Sequence, residues 1–434
     1  MKIQEDWLHF IWKLQYFDKK DLITAQGDKL TILSPGIRNK DAGPDFLHAS
    51  IMLGDITWYG HIELHVKASA WQTHQHHLDI AYENVILHVV WYNDQSIQRK
   101  DHTPLPTLVL QGKVAPTFLE KCEQLIQQQI NIPCGSQLYQ VPTIVKNSML
   151  DKVLFQRLSN KNALVYRLLN NNQGDWEETA YQLLAHNFGF KINSPAMLEL
   201  SIAVPLKIIR KLRQERIQIE ALLLGQAGLL TTTSKDIPDA YMTILIQEYS
   251  YLSHKYQFNK YTINKSNWKF FRLRPANFPT IRIAQLVQIL YQQPHLFNWL
   301  VHTPVEVLRS QLAVTQSTYW QHYYTFGKPS KSKIPGLGIS SIENILINTV
   351  VPLLVAYGKS HDQSTYIDKA LALLQTLPPE YNNITHEWEK LGIKAQNAFD
   401  SQALIELFNC FCIQKRCLSC NIGTTLLQRS LIEK

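Results

Sequence analysis

Asp45, Glu63, His65 and Lys67 fall in one strand-rich stretch, DAGPDFLHASIMLGDITWYGHIELHVK at 41–67, and their types suit metal-assisted hydrolysis. Paired carboxylates hold a divalent cation, and a lysine beside them positions or deprotonates a water. Between 56 and 67, Ile56, Trp58, Ile62, Leu64 and Val66 take the even positions, while His61, Glu63, His65 and Lys67 take odd ones. The two-residue period of a strand therefore puts Glu63, His65 and Lys67 on one face. Asp45, on the preceding strand, supplies the second carboxylate. A two-residue turn at Gly54-Asp55 pairs Asp45 with Leu64 and sends it to the apolar face, whereas a three-residue loop or a bulge at Gly60 pairs it with His65. The plain alternative is that the odd face is the wet side of an antiparallel sheet.

Three more groups of residues carry chemistry. In WQTHQHHLDIAYENVILHVVW, His74 and His77 suit a phosphate contact or an acid for a leaving oxygen. With His76 they lack the i, i+4 spacing of a helical two-histidine metal site, and His88, inside an apolar run, reads as a hydrogen-bonded core histidine. NCFCIQKRCLSCNIG spaces Cys410, Cys412, Cys417 and Cys420 as C-x-C-x4-C-x2-C. Cys412, Cys417 and Cys420 supply three thiolates for zinc or an iron–sulfur cluster, with Cys410 or the distant Cys134 as the fourth. In FFRLRPANFPTIRIAQL, Arg272, Arg274 and Arg282 can converge on phosphate oxygens, or instead serve a buried crossing among Phe270, Phe271 and Phe278 or bind a buried carboxylate such as Glu220. No Walker motif, dinucleotide fingerprint or G-x-S-x-G occurs.

The elements that position these residues follow from the patterning. With 434 residues, 45% hydrophobic and 18% charged, the chain is globular and long enough for more than one domain. Residues 1–115 alternate in short strands behind a first helix near 5–17, with a helical or looped segment at 68–82, giving an α/β or α+β domain with a mixed sheet. Residues 116–434 show helical periodicity, giving a large all-α domain that ends in the cysteine cluster. A net charge of +8 favours a polyanionic partner. No leader pattern opens the chain and no run reaches about 18 uninterrupted apolar residues, so a cytoplasmic protein without a membrane partner is expected.

Several segments are similar to an uncharacterised bacterial family, domain of unknown function 2851: AGPDF (42–46), the W-x-G-x-I-E-x-H stretch (58–65), NVILHVV (84–90), EALLLGQAG (220–228), LRPANFPTIRIAQL (273–286) and KRCLSCNIG (415–423). That resemblance assigns no activity. Pro44-Asp45, followed by a hairpin ending in an acid and a lysine, also resembles the PD-(D/E)xK nucleases, whose restriction-endonuclease-like core is α-β-β-β-α-β. This resemblance implies Mg²⁺ or Mn²⁺ on Asp45 and Glu63, with Lys67 orienting the attacking water, His65 as ligand or proton carrier, and DNA as the favoured polymer. The chain departs from the pattern because His65 occupies the position two before Lys67, and the acid, Glu63, lies four before it. A remote cysteine joining three C-terminal ones resembles the arrangement in iron–sulfur nucleases. The competing reading is a catalytically inactive nucleic-acid or protein binding module with a structural metal site.

Overall fold

The alternating first hundred residues form a mixed six-stranded sheet: β1 (Leu30–Ser34), β2 (Ile37–Arg38), β3 (Phe46–Leu53), β4 (Ile56–Lys67), β5 (Val85–Tyr92) and β6 (Thr107–Val109). The computed structural model describes residues 3–39, 41–127, 131–231, 238–258 and 262–432. Strand order is β1-β3-β4-β5-β6, with β2 also on β3. β1, β2 and β4 run antiparallel to β3, while β4–β5 and β5–β6 are parallel. The parallel step needs a crossover, and the chain makes it through α2 (Ala70–Thr73) and two short 3₁₀ turns, His76–Leu78 and Ile80–Tyr82. That crossover carries His74, His76 and His77. The DLITA run contributes only an isolated bridge, Ile23 to Lys29.

α1 (Glu5–Leu14) packs against β4 and buries Trp7, Leu8, Phe10, Ile11 and Trp12. Each such side chain contributes roughly 1.5–3 kcal/mol of transfer free energy. The helix stops short of Phe17 because Gln15 turns left-handed and its N–H closes on the Ile11 and Trp12 carbonyls.

Register decides whether the carboxylates meet. β3 and β4 join through the two-residue turn, with Leu53 opposite Ile56 and Ala49 opposite Gly60. Continued unbroken, that pairing would face Asp45 with Leu64. The ladder instead shifts between Phe46 and Ala49, so that Phe46 faces Ile62. The extra residue lies in β3, where His48 has φ 56, and it brings Asp45 opposite Glu63. The bulge is thus in the other strand from Gly60 and moves the register the opposite way from the pairing with His65. Gly60 has a different task, since a Cβ there would stand 2.4 Å from the Asn84 carbonyl oxygen. Nor is the odd face of β4 wet throughout: Glu63 and His65 are buried on it, and Lys67 at its end is exposed.

The chain divides into two units, Met1–Lys152 with Lys390–Gly392 and Ile405–Lys434, and Val153–Glu389 with Ile393–Leu404. The change of composition near residue 115 therefore falls inside the first unit. The C-terminal helix Asn421–Ile432 packs on α3 (Pro116–Gln127) and on the turn Gly135–Gln140, and the turn Cys417–Ser419 lies against α1. The second unit is largely helical, with one small hairpin at Tyr323–Thr325 and Lys328–Pro329. Its segment Ile339–Ser360 has the length and hydropathy of a membrane-crossing helix and is 67% buried, as a core helix is. A π-helical turn at Leu346–Val350 precedes Pro352 and accommodates the ring.

Candidate metal centre

The bulge at His48 lets the Asp45 N–H donate to Glu63 Oε2 at 3.0 Å, while Asp45 Oδ2 accepts from the Leu64 N–H at 3.1 Å. The two carboxylates are locked together across β3 and β4. Around them stand two groups of ligating atoms, each mutually within 4.8 Å: Glu5, His9 and Asp45, and His65, His74 and His76. Glu63 adjoins both, because its Oε1 is 3.6 Å from His65 Nε2 and 3.4 Å from His76 Nε2.

β4 and β5 set the imidazole orientation. Glu63 pairs with His88 in the parallel register, and His65 Nδ1 lies 2.8 Å from His88 Nε2. His65 Nε2 is then directed to His74 Nδ1 at 3.3 Å. If His65 donates through Nδ1 to His88, its Nε2 keeps the lone pair that a metal requires. His88 is a buried histidine with a hydrogen bond, as its apolar setting implied, and that bond is what aims His65.

Electrostatics show what the cluster lacks. Burial, with the neighbouring Asp45 charge second, pushes Glu63 up to about 9. Burial and the adjoining imidazoles pull His65 down to about 2 and His76 to about 4, and burial takes His88 to about 3. At neutral pH the glutamate is protonated and these histidines are neutral. Asp45 behaves oppositely: burial acts to raise it, but His9 and the Leu64 N–H outweigh burial and lower it. His9, 3.0 Å from Asp45 Oδ1, is raised because Asp45 and Asp6 outweigh its burial. The residues fit a cation on a direct observation, since His76 Nε2 is buried and, although Glu63 Oε1 approaches to 3.4 Å, makes no hydrogen bond among the described residues. The imidazoles of His65, His74 and His76, with the Glu63 carboxyl beside them, form a donor set for a divalent transition ion.

The other residues singled out in the sequence fall in three places. Lys67 is exposed, and its charge acts on Asp94; the cation whose field reaches both Asp45 and Glu63 is Arg38 on β2. His77 lines, with Trp71, His76, Tyr82, Arg99 and Lys100, a cavity of about 500 Å³ beside the cluster. In the second unit Arg272 and Arg274 are exposed and Arg282 is buried. Phe271, expected in a buried crossing, is 81% exposed. Glu220 bonds to Arg216, Tyr241 and Trp320.

The six cysteines form no disulfide. Cys134, Cys412, Cys417 and Cys420 are buried, and the thiols of Cys134, Cys417 and Cys420 all act electrostatically on Cys412. Cys410 Sγ turns instead to Glu406 Oε1 at 3.2 Å. A single tetrahedral zinc holds thiolates about 3.8 Å apart, and among the described residues no three cysteine sulfurs lie within 4.8 Å of one another.

Sequence reasoning missed Glu5, His9 and Arg38 and underrated His76. One signal was present, because Glu5 and His9 are four apart on α1 and share a face. Arg38 gave none, as its two-residue strand has no pattern to read.

Residues 5–383 match the family described as protein of unknown function DUF2851. The chain belongs to that family. The match ends before Cys410, so the C-terminal thiols lie beyond it. No curated protein matches the chain, and no solved structure does.

Proposed function

We propose that the first unit is a metal-dependent hydrolase of phosphodiester bonds in nucleic acid, DNA before RNA. One observation carries this reading: Asp45 and Glu63 meet on one face, hydrogen-bonded across adjacent strands, with three imidazoles and a cavity beside them. The order α1, antiparallel strands, α2, parallel β5 supports the likeness to PD-(D/E)xK nucleases. Glu63, Asp45 and His65 would hold the ion, Mg²⁺ or Mn²⁺ on the carboxylates, with His74 and His76 favouring a softer ion such as Zn²⁺. The ion supplies a water of lowered pKa and neutralises charge on the phosphoryl oxygens.

The chain's own residues complete the chemistry. With His76 left to the ion, His77 on the cavity wall is placed to pass a proton to the leaving oxygen, a part His74 would take only where the ion sits on the carboxylates alone. Arg99 and Lys100 line the same cavity and suit phosphate oxygens. Lys67, exposed beyond the centre on the same strand, suits a flanking phosphate. The net charge of +8 adds non-specific attraction to a polyanion. With this reading goes a structural metal group, zinc or an iron–sulfur cluster, on Cys134, Cys412, Cys417 and Cys420. A visible absorption spectrum and metal analysis of anaerobically purified protein separate the two.

The deciding experiment incubates plasmid, linear and single-stranded DNA and RNA with the protein and Mg²⁺, Mn²⁺ or Zn²⁺, comparing wild type with Asp45→Ala and Glu63→Gln. Cleavage that a metal chelator abolishes and both variants lose supports the hydrolase. Salt-sensitive binding without cleavage supports the binding module, which one observation favours: the exposed Lys67 stands near Asp94.

A further inference from the structure

Arg282 enters the second unit's core on helix Pro279–Gln292 and is 7% exposed. Nη1 donates to Gln285 Oε1 at 2.9 Å, and Nη2 donates to Asn277 Oδ1 at 2.6 Å and Ser341 Oγ at 3.1 Å. The guanidinium carbon lies 4.1 Å from the centre of the Phe190 ring. All these partners are neutral, and Nε is buried without a hydrogen-bond partner among the described residues. Burial alone pulls the group down, to about 10, so it stays charged at neutral pH with no carboxylate opposing the shift. The same unit solves the equivalent problem fully at Glu220, where Arg216 supplies the counter-charge at 3.2 Å.

A buried guanidinium without an acid leaves a charge to be satisfied. Beside it is a cavity of about 330 Å³, lined by Phe190, Asn193, Asn277, Arg282, Ser341 and Asn344 among others, and no acidic side chain lines it. Ser340 and Ser341 stand in the first turn of helix Ile339–Ile345, and Pro279 and Arg282 in that of helix Pro279–Gln292. The N-terminal end of helix Pro279–Gln292 directs positive partial charge to this region. Phe190 and Lys191 are held at φ 44 and 73, left-handed conformations that non-glycine residues adopt only when their surroundings impose them. In that loop the Phe190 ring covers one face of the guanidinium.

We infer that this cavity binds a small oxyanion, a phosphate or carboxylate group carried on a small molecule, with Arg282 as its counter-ion. The volume is at the low end for ligand pockets and suits a compact molecule rather than a polymer strand. Asn344 and the two serines supply neutral polar groups that orient such a ligand. The site is independent of the hydrolase reading and involves no residue of the first unit.

The test uses the full chain and follows thermal unfolding at constant ionic strength with inorganic phosphate, pyrophosphate, acetate or citrate, against chloride. Wild type should be stabilised saturably by at least one oxyanion. Ser341→Asp places a carboxylate against the guanidinium; it should raise the melting temperature without ligand and weaken the oxyanion response at least tenfold. Arg282→Gln, if folded, should abolish the response. Absence of any saturable response in wild type would overturn the inference, as would an unchanged response in Ser341→Asp. Ser341→Asp keeps the test decisive if Arg282→Gln fails to fold.

Discussion

Glu63 in the first unit and Glu220 in the second are both buried carboxylates, and the fold treats them differently. Glu220 accepts from Tyr241 Oη at 2.7 Å, from Arg216 at 3.2 Å and from the Trp320 indole. Burial raises its affinity for a proton, and those three donors oppose the rise. Glu63 receives one backbone N–H, sits beside another carboxylate, and faces imidazoles too acidic to carry charge. The first is a finished structural contact. The second lacks such donors, which is the opening the proposed metal role rests on, and the difference is legible only in the partners, because burial alone is nearly the same.

The comparison breaks most sharply under substitution. Glu63→Gln should lower metal-dependent cleavage by about 10²–10³-fold, the scale of losing one charge contact in a transition state, without reducing metal-free stability by urea denaturation. Glu220→Ala should do the reverse, costing about 3 kcal/mol in the same denaturation because it strands part of a buried ionic network, and leaving metal affinity unchanged. Equal behaviour of the two variants would erase the distinction. His88→Ala should weaken metal binding by about 10–100-fold, since His88 acts through the orientation of His65; calorimetric titration with Mn²⁺ or Zn²⁺ reads this directly.

The pH dependence of metal-free stability sharpens it further. Glu63 in the folded protein keeps its proton up to about 9, well above its unfolded value of 4.5. Its stabilising contribution is full below 4.5 and is lost as pH rises through 9. His65, His76 and His88 titrate at about 2, 4 and 3 when folded, below 6.5. Their contribution is present above 6.5 and is lost as pH falls through those values. Three histidines outweigh one glutamate between 4.5 and 6.5, so melting temperature should peak near pH 6.5 and decline above it. Glu63→Gln should flatten the alkaline decline. The smallest effect is expected at Lys67, where alanine should weaken nucleic-acid binding less than tenfold and lower its salt dependence by about one phosphate contact.

Much of the sheet could be read from the sequence, because a strand's period of two leaves a direct trace in residues 56–67 and a strand buried on both faces leaves the continuous apolar run of 85–92. The shared face of Glu63 and His65 followed from the same trace. What decided the site did not. The bulge in β3 rests on a histidine in a left-handed conformation, with no glycine to announce it, and it alone turns Asp45 toward Glu63. His74 and His76 meet His65 through a crossover of short 3₁₀ turns, where periodicity is silent. Cys134 joins the C-terminal thiols only through the packing of helix Asn421–Ile432 on the turn Gly135–Gln140. Contacts between segments distant in sequence leave no local signature.

The first unit is completed by Ile405–Lys434, which has a consequence for biosynthesis. The segment that docks on α1 and α3 leaves the ribosome roughly 250 residues after Lys152, a wait of tens of seconds at about 5–20 residues per second. During that interval the first unit lacks its last packing partner, while the second unit is completed by Ile393–Leu404, just ahead of that segment. The helical unit is therefore expected to mature first on the ribosome, although it is encoded second.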